Sequence, residues 1–257
     1  MDIKGTGQRI AVMQPMYLPW MGYFALIESV DVFVFLDNVQ FSHGGWQQRN
    51  RVRQKDNIVF LTVPVYKKGL HRQIIRDVEI ADQHKWRKSH YKTLYQSYSK
   101  ALYWEQYQDI LFEMYNIEYN KLCELNIFSI IKISKLLKLK AKKMIRASEL
   151  VDQTDRVGRL ISLCDRLGAD EYLSPVGSFE YIDRNNLFEK NNISLKYLHF
   201  EHPEYRQVGK SFLSHLSIID LLLNEGPNAK AILKSGIRKP FTHEELKEAR
   251  KSKKGIE

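Results

Sequence analysis

Three stretches of this 257-residue chain concentrate side chains able to bind and react. The first is Gln14-Pro15-Met16-Tyr17-Leu18-Pro19-Trp20, with Gly22-Tyr23 just beyond. The Gln14 amide can read a hydroxyl or an amide, or donate to a developing oxyanion. Tyr17 and Trp20 offer faces for a sugar or a base. The same residues would also build a rigid, packed turn. The second stretch runs from Asp37 to Arg51. The Asp37 carboxylate can bind a hydroxyl or ribose, help hold a metal, act as a base, or simply form a turn. Beyond it, His43 is a candidate general base and Trp46 a stacking face. Arg49 and Arg51 alternate, so on an extended segment they point the same way and can clamp one anionic group. The third stretch is Tyr172-Leu173-Ser174-Pro175-Val176-Gly177-Ser178, a strand-to-helix turn whose helix N-terminus can bind an anion. His199, Glu201 and His202 lack the further ligands a metal site needs, and no metal is expected. Asp220, on an otherwise apolar helix, needs a partner if buried.

The elements around these residues follow from periodicity. Arg9 to Gln14 and Val32 to Leu36 are short apolar runs, predicted as buried strands. Between them the apolar spacing from Trp20 to Ser29 is helical. Strand, helix and strand in this space make a Rossmann-like first βαβ unit. The turn after its first strand then opens a helix, where ligands gather in open α/β sheets. Phe41 to Lys55 is predicted as a long polar loop, Asn57 to Val65 as a strand, and Ile74 to Ile80 as a half-exposed strand. From Gln83 to Leu137 the pattern is helical. Further on come a strand near Lys143, a helix over Asp155 to Leu167 stopped by Gly168, strands at Glu171 and Ile193, and a helix over Ser214 to Asn224. The expected architecture is α/β: a mixed or mostly parallel central sheet flanked by helices, with a helical insertion near 83–140. A single domain spans 1–257, with a flexible tail at 244–257.

Hydrophobic residues make up 44% and charged residues 27%, enough for a sizeable core. No apolar run reaches the ~18 residues that span a bilayer, and the N-terminus lacks a signal-peptide pattern. Two cysteines, Cys123 and Cys164, do not indicate a disulfide framework. A cytoplasmic setting is expected, with peripheral contact at the inner membrane face as an option. The net charge is +10, and Ile131 to Arg146 carries seven Lys/Arg and no acid. That run is a solvated helix face or a contact for acidic lipid, an acyl carrier or a phosphate-bearing substrate. Charge alone permits nucleic acid, but no helix-turn-helix or RNA motif supports it as a partner. Walker, G-x-S-x-G, HExxH and Cys-rich zinc motifs are absent.

The pattern QPxYLPWxGYF, DVFVxLDxVQF, W-x-x-R-N-R, LTVPV, YLSPxGS-x-x-Y, HPEYRQ and LSIIDLLLNEGP resembles the WbqC-like protein family, from about Ile10 to Pro227. The chain has Pro175 where the family often has Gly, and the Gln48-Arg49-Asn50-Arg51 loop aligns less closely. The resemblance implies a role in bacterial O-antigen or other surface-polysaccharide synthesis: transfer of an acyl or aminoacyl group to the amine of a nucleotide-linked sugar. It adds Tyr23, Gln40, Asn50, Tyr181 and Gln207 to Tyr17, Trp20, Trp46, Arg49, Arg51, Ser174 and Ser178 as expected substrate-binding residues. His43, Asp37 and Gln14 are the expected catalytic groups. The donor is unnamed; acyl-CoA, acyl carrier protein and aminoacyl-tRNA are the candidates. Two other readings stand beside this one: a nucleotide-dependent ligase or nucleotidyltransferase, suggested loosely by Gly22-Tyr23, and a non-catalytic sugar- or membrane-associated assembly protein.

Overall fold

In chain order the elements are β1 (Arg9–Met13), α1 (Met21–Glu28), β2 (Val32–Phe35), β3 (Arg49–Gln54), β4 (Asn57–Thr62), α2 (Trp86–Tyr98), α3 (Trp104–Asn116), α4 (Leu122–Leu136), β5 (Lys143–Arg146), α5 (Arg156–Leu167), β6 (Glu171–Ser174), α6 (Phe179–Ile182), α7 (Leu187–Lys190), β7 (Ser194–Tyr197), α8 (Ile218–Glu225), α9 (Ala229–Ser235) and α10 (His243–Lys254). This computed structural model describes residues 7–254 except 68, 70, 71, 83, 84, 152–154 and 183–185. The expected leader and tail therefore lie partly outside the described residues. α10 carries most of the tail as helix.

The central sheet has five parallel strands in the order β5-β2-β1-β6-β7. Strand alternation divides the core in two. Ala11, Phe33, Phe35 and Leu173 face one side, packed with α1, α4, α8 and α9. Ile10, Val12, Val34 and Tyr172 face the other, against α5, α7 and α10. Every residue of α1 is buried: Met21 to Ile27 carry no charge, and Glu28 at its end accepts from the Lys140 N–H at 2.8 Å. In α5 the local signals act as written: the Asp155 carboxylate accepts from the Gly158 N–H at the N-cap, and Gly168 closes the helix at φ +63°. α2 and α3 stand out as the helical insertion. α4 is the crossover into β5, and its apolar face joins Phe33 and Phe35 in the larger core.

Three local expectations change. The polar stretch after Phe41 is not loop throughout, because Arg49–Gln54 pairs antiparallel with Asn57–Thr62 as a hairpin outside the main sheet. Asn50 and Val52 supply its buried side. The alternation at Ile74 to Ile80 does not make a strand. It comes from a 3-10 turn at Ile75–Asp77 flanked by single bridges, Gln40 to Ile74 and Val65 to Ile80. The basic run at 131–146 is not one helical face either. α4 ends at Leu136, Lys138 turns the chain at φ +50°, and β5 follows. Lys132 is paired with Glu113 at 2.5 Å and Lys140 with Asp31 at 3.0 Å. Among the described residues no helix is long and apolar enough to cross a membrane.

Candidate functional site at the strand-order reversal

The sheet reverses its winding between β1 and β6, so the loops leaving their carboxyl ends diverge to opposite faces. A cleft of ≈ 680 Å³ opens there. Gln14 lines it from just past β1, Asn38 and Gln40 from beyond β2, and Ser174, Ser178 and Tyr181 from β6, the 3-10 turn after it and α6. Arg156 and Arg159 enter from the first turn of α5. The volume lies within the usual range for small-molecule sites.

The polar groups of the cleft are set before any ligand arrives. Ser178 donates to the Pro175 carbonyl at 2.8 Å, which leaves Ser174 to donate to Ser178 across 2.6 Å. The Asn38 amide donates to the Val151 carbonyl at 2.8 Å, while its Oδ1 is buried and lacks a partner. The Arg156 guanidinium lies 4.5 Å over the Tyr181 ring. Two guanidinium groups near a helix start favour an anion. No described side chain lining the cleft is a carboxylate or an imidazole. Both free cysteines are buried, and burial pushes each thiol up to about 12, the reverse of an activated nucleophile.

The Gln14–Trp20 turn is held to the 45–50 segment by amides. Gln47 donates to the Gln14 Oε1 at 2.6 Å, and Asn50 to the Tyr17 carbonyl at 3.0 Å. The Tyr17 N–H donates to the Trp46 carbonyl at 3.0 Å. From α4, Asn126 donates to the carbonyls of Pro15 and Gln47 at 3.1 and 2.7 Å. One buried asparagine thus ties the turn, the hairpin approach and the crossover helix together.

The other expected site residues lie elsewhere. Asp37 is fully buried, and its carboxylate accepts from the Ser148 N–H at 3.0 Å and the Ser148 hydroxyl at 2.7 Å. It therefore anchors the segment after β5. His43 is exposed, edge-on to Phe41. Arg49 and Arg51 do share one face of the hairpin, but each stacks on an aromatic ring, Phe60 at 4.7 Å and Trp46 at 5.2 Å. Tyr17 is buried in the other direction, with its hydroxyl 2.9 Å from His90 Nδ1 and 2.8 Å from the Tyr115 hydroxyl. Burial drives the His90 imidazole down to about 4. Trp20 and Tyr23 line a separate pocket. Trp20 stacks on His202 and His215, whose rings are 5.1 to 6.1 Å away. His202 donates from Nδ1 to the Pro203 carbonyl and accepts the His215 N–H on Nε2, so both its nitrogens are engaged. Among the described residues no group of three or more His, Cys, Asp or Glu side chains could hold a metal ion.

Gln207 belongs to a buried network under the hairpin. Its Oε1 accepts from Arg53 at 2.8 Å and from the Leu213 N–H at 2.8 Å. Beside it Asp220 accepts from the hydroxyls of Tyr98 at 2.9 Å and Tyr205 at 2.8 Å. Burial raises the Asp220 carboxyl above its ordinary value. Arg53, Asn126, Arg156 and Arg159 carry this structure and were not singled out from sequence. Arg156 and Arg159 sit three apart in the first turn of a correctly expected helix. Only the neighbouring strand order makes that turn part of a site.

Fold and cleft together define a doubly wound α/β protein with a cleft at the switch in strand order. The chain matches the WbqC-like protein family over residues 14–232 and belongs to it. It is 32% identical to the uncharacterized protein Rv1507c of Mycobacterium tuberculosis over 229 residues, covering 88% of this chain and 98% of that protein. No solved structure matches the chain.

Proposed function

We propose that this protein binds a nucleotide-linked amino sugar in the switch-point cleft and transfers an acyl or aminoacyl group to the sugar amine, in the assembly of a bacterial surface polysaccharide. One observation carries the reading. Arg156 and Arg159 line the same cleft as the neutral polar groups of Gln14, Asn38, Ser174 and Ser178. Cations suit a diphosphate, and amides and hydroxyls suit a sugar ring.

The chemistry follows from what lines the cleft. The free amine of the sugar attacks the carbonyl of an activated donor. A C–N bond forms and the bond to the leaving group breaks. The proton lost by nitrogen leaves with the departing thiolate or alkoxide. The described lining residues contribute orientation and hydrogen bonds. Gln14, held by Gln47, can donate its amide N–H groups to the developing oxyanion.

Calorimetric titration with UDP- and dTDP-linked 4-amino sugars tests the binding, and mass spectrometry with acyl-CoA, acyl carrier protein and aminoacyl-tRNA donors tests the transfer. N-acylated sugar nucleotide is the expected product. Absence of both binding and product would sink the reading. ATP-dependent release of pyrophosphate would replace it with a ligase or nucleotidyltransferase.

A further inference from the structure

A second cavity of ≈ 510 Å³ lies between α1, the segment after β7 and α10. Its walls are Trp20 and Tyr23 from α1 and its approach, Leu198 and Phe200 after β7, and Leu246 and Ala249 from α10. Met13 and Pro175 line both this pocket and the switch-point cleft, so the two meet where β1 and β6 end.

The charged groups at its edge are already committed. Arg250 pairs with Glu180 at 2.6 Å and donates to the Val176 carbonyl at 3.0 Å. Glu201 pairs with Arg238 at 2.8 Å and lies 3.6 Å from His199, whose ring stacks on Phe241 at 4.0 Å. What remains inside is aromatic and aliphatic surface. An apolar pocket of this size open to water is a binding site for an uncharged, apolar group.

We infer that this pocket binds the alkyl or acyl portion of a second small molecule and brings its polar end to Met13 and Pro175, beside the switch-point cleft. The assignment of that molecule as the donor rests on the transfer reading above; the occupancy of the pocket does not. α10 forms one wall, tied to α6 through the Arg250–Glu180 contact.

The test is direct titration of the full chain with 1-hexanol and 1-octanol by calorimetry. Burial of two further methylenes at ~0.8 kcal/mol each makes octanol bind about 15-fold more tightly. Ala249→Trp narrows the pocket from α10, and Val176→Trp from the loop after β6, where Val176 is 39% exposed and has room for a larger side chain. Each is expected to weaken octanol at least about tenfold, while sugar-nucleotide affinity is kept. Equal affinities for the two alcohols, no saturable binding, or octanol binding untouched in both variants would overturn the assignment. Octanol bound as described with no sugar nucleotide bound would leave this pocket standing and remove the transfer reading.

Discussion

The side-chain amides of Gln14 and Gln47 meet at 2.6 Å, and through that contact the end of β1 is joined to the approach of the hairpin. Gln47 is buried, and its own Oε1 has no partner within the protein. Gln14 faces the cleft with its acceptor already used. Its amide N–H groups are therefore the ones left to point at a ligand. A side chain whose rotamer is fixed by a neighbour loses less freedom on binding.

Gln47→Ala removes the donor that orients Gln14. We expect a loss of about 1–2 kcal/mol in urea unfolding, the usual effect of deleting a part-buried hydrogen bond and its packing. Sugar-nucleotide affinity should fall with it. Unchanged stability would mean that the contact is not formed in solution.

Arg156→Ala removes one cation from the mouth of the cleft. Arg156 is exposed, so the solvent-screened effect should be modest. Affinity for a nucleotide diphosphate should drop about tenfold, as expected for a single charge-assisted contact. The slope of affinity against salt should also fall. A neutral sugar bound without its nucleotide should be indifferent to the change.

His90 sets a pH dependence. Its folded pKa of about 4 lies below the ordinary 6.5, because burial disfavours the cation. The unfolded chain takes up the proton first. The stability is therefore present above pH 6.5 and is lost as the pH falls through 6.5 toward 4. At 1.36 kcal/mol per pH unit, the loss is roughly 3 kcal/mol. His90→Gln keeps an acceptor for Tyr17 and removes the titration. Urea unfolding at pH 7 and pH 4 should show the wild type losing more than the variant. Parallel losses would exclude the buried imidazole as the cause.

Gly22 lies under Trp20, and a Cβ there would come within 2.2 Å of the indole. Gly22→Ala must displace Trp20 from its stack on His202 and His215. We expect a cost of about 2 kcal/mol, in the range for overpacking, and a change in tryptophan fluorescence. Folding at wild-type stability with unchanged fluorescence would show that the indole sits elsewhere.

Much of this arrangement was legible in the residues. Apolar runs and helical spacing placed β1, α1 and β2. Asp155 and Gly168 marked both ends of α5, and the motifs from the Gln14 turn to Pro227 pointed to the family. These are local signals, because each depends on neighbours within a few residues. Side-chain direction was harder. By residue type Asp37 and Tyr17 are candidate ligand groups, yet each is buried against partners more than 70 residues away, Ser148 and His90. Arg49 and Arg51 were expected to leave one face of an extended segment, and they do, but the aromatic rings that hold them come from packing.

The βαβ frame, the extent of α5 with its Gly168 stop and the family of the protein are written in local residue patterns. The tertiary structure alone decided that β6 lies beside β1, since strand neighbours are chosen by burial of whole faces over long separations. That adjacency turns the first turn of α5, and with it Arg156 and Arg159, into a wall of the cleft opposite Gln14. It also leaves Trp20 and Tyr23 in a second pocket, which shares Met13 and Pro175 with the first.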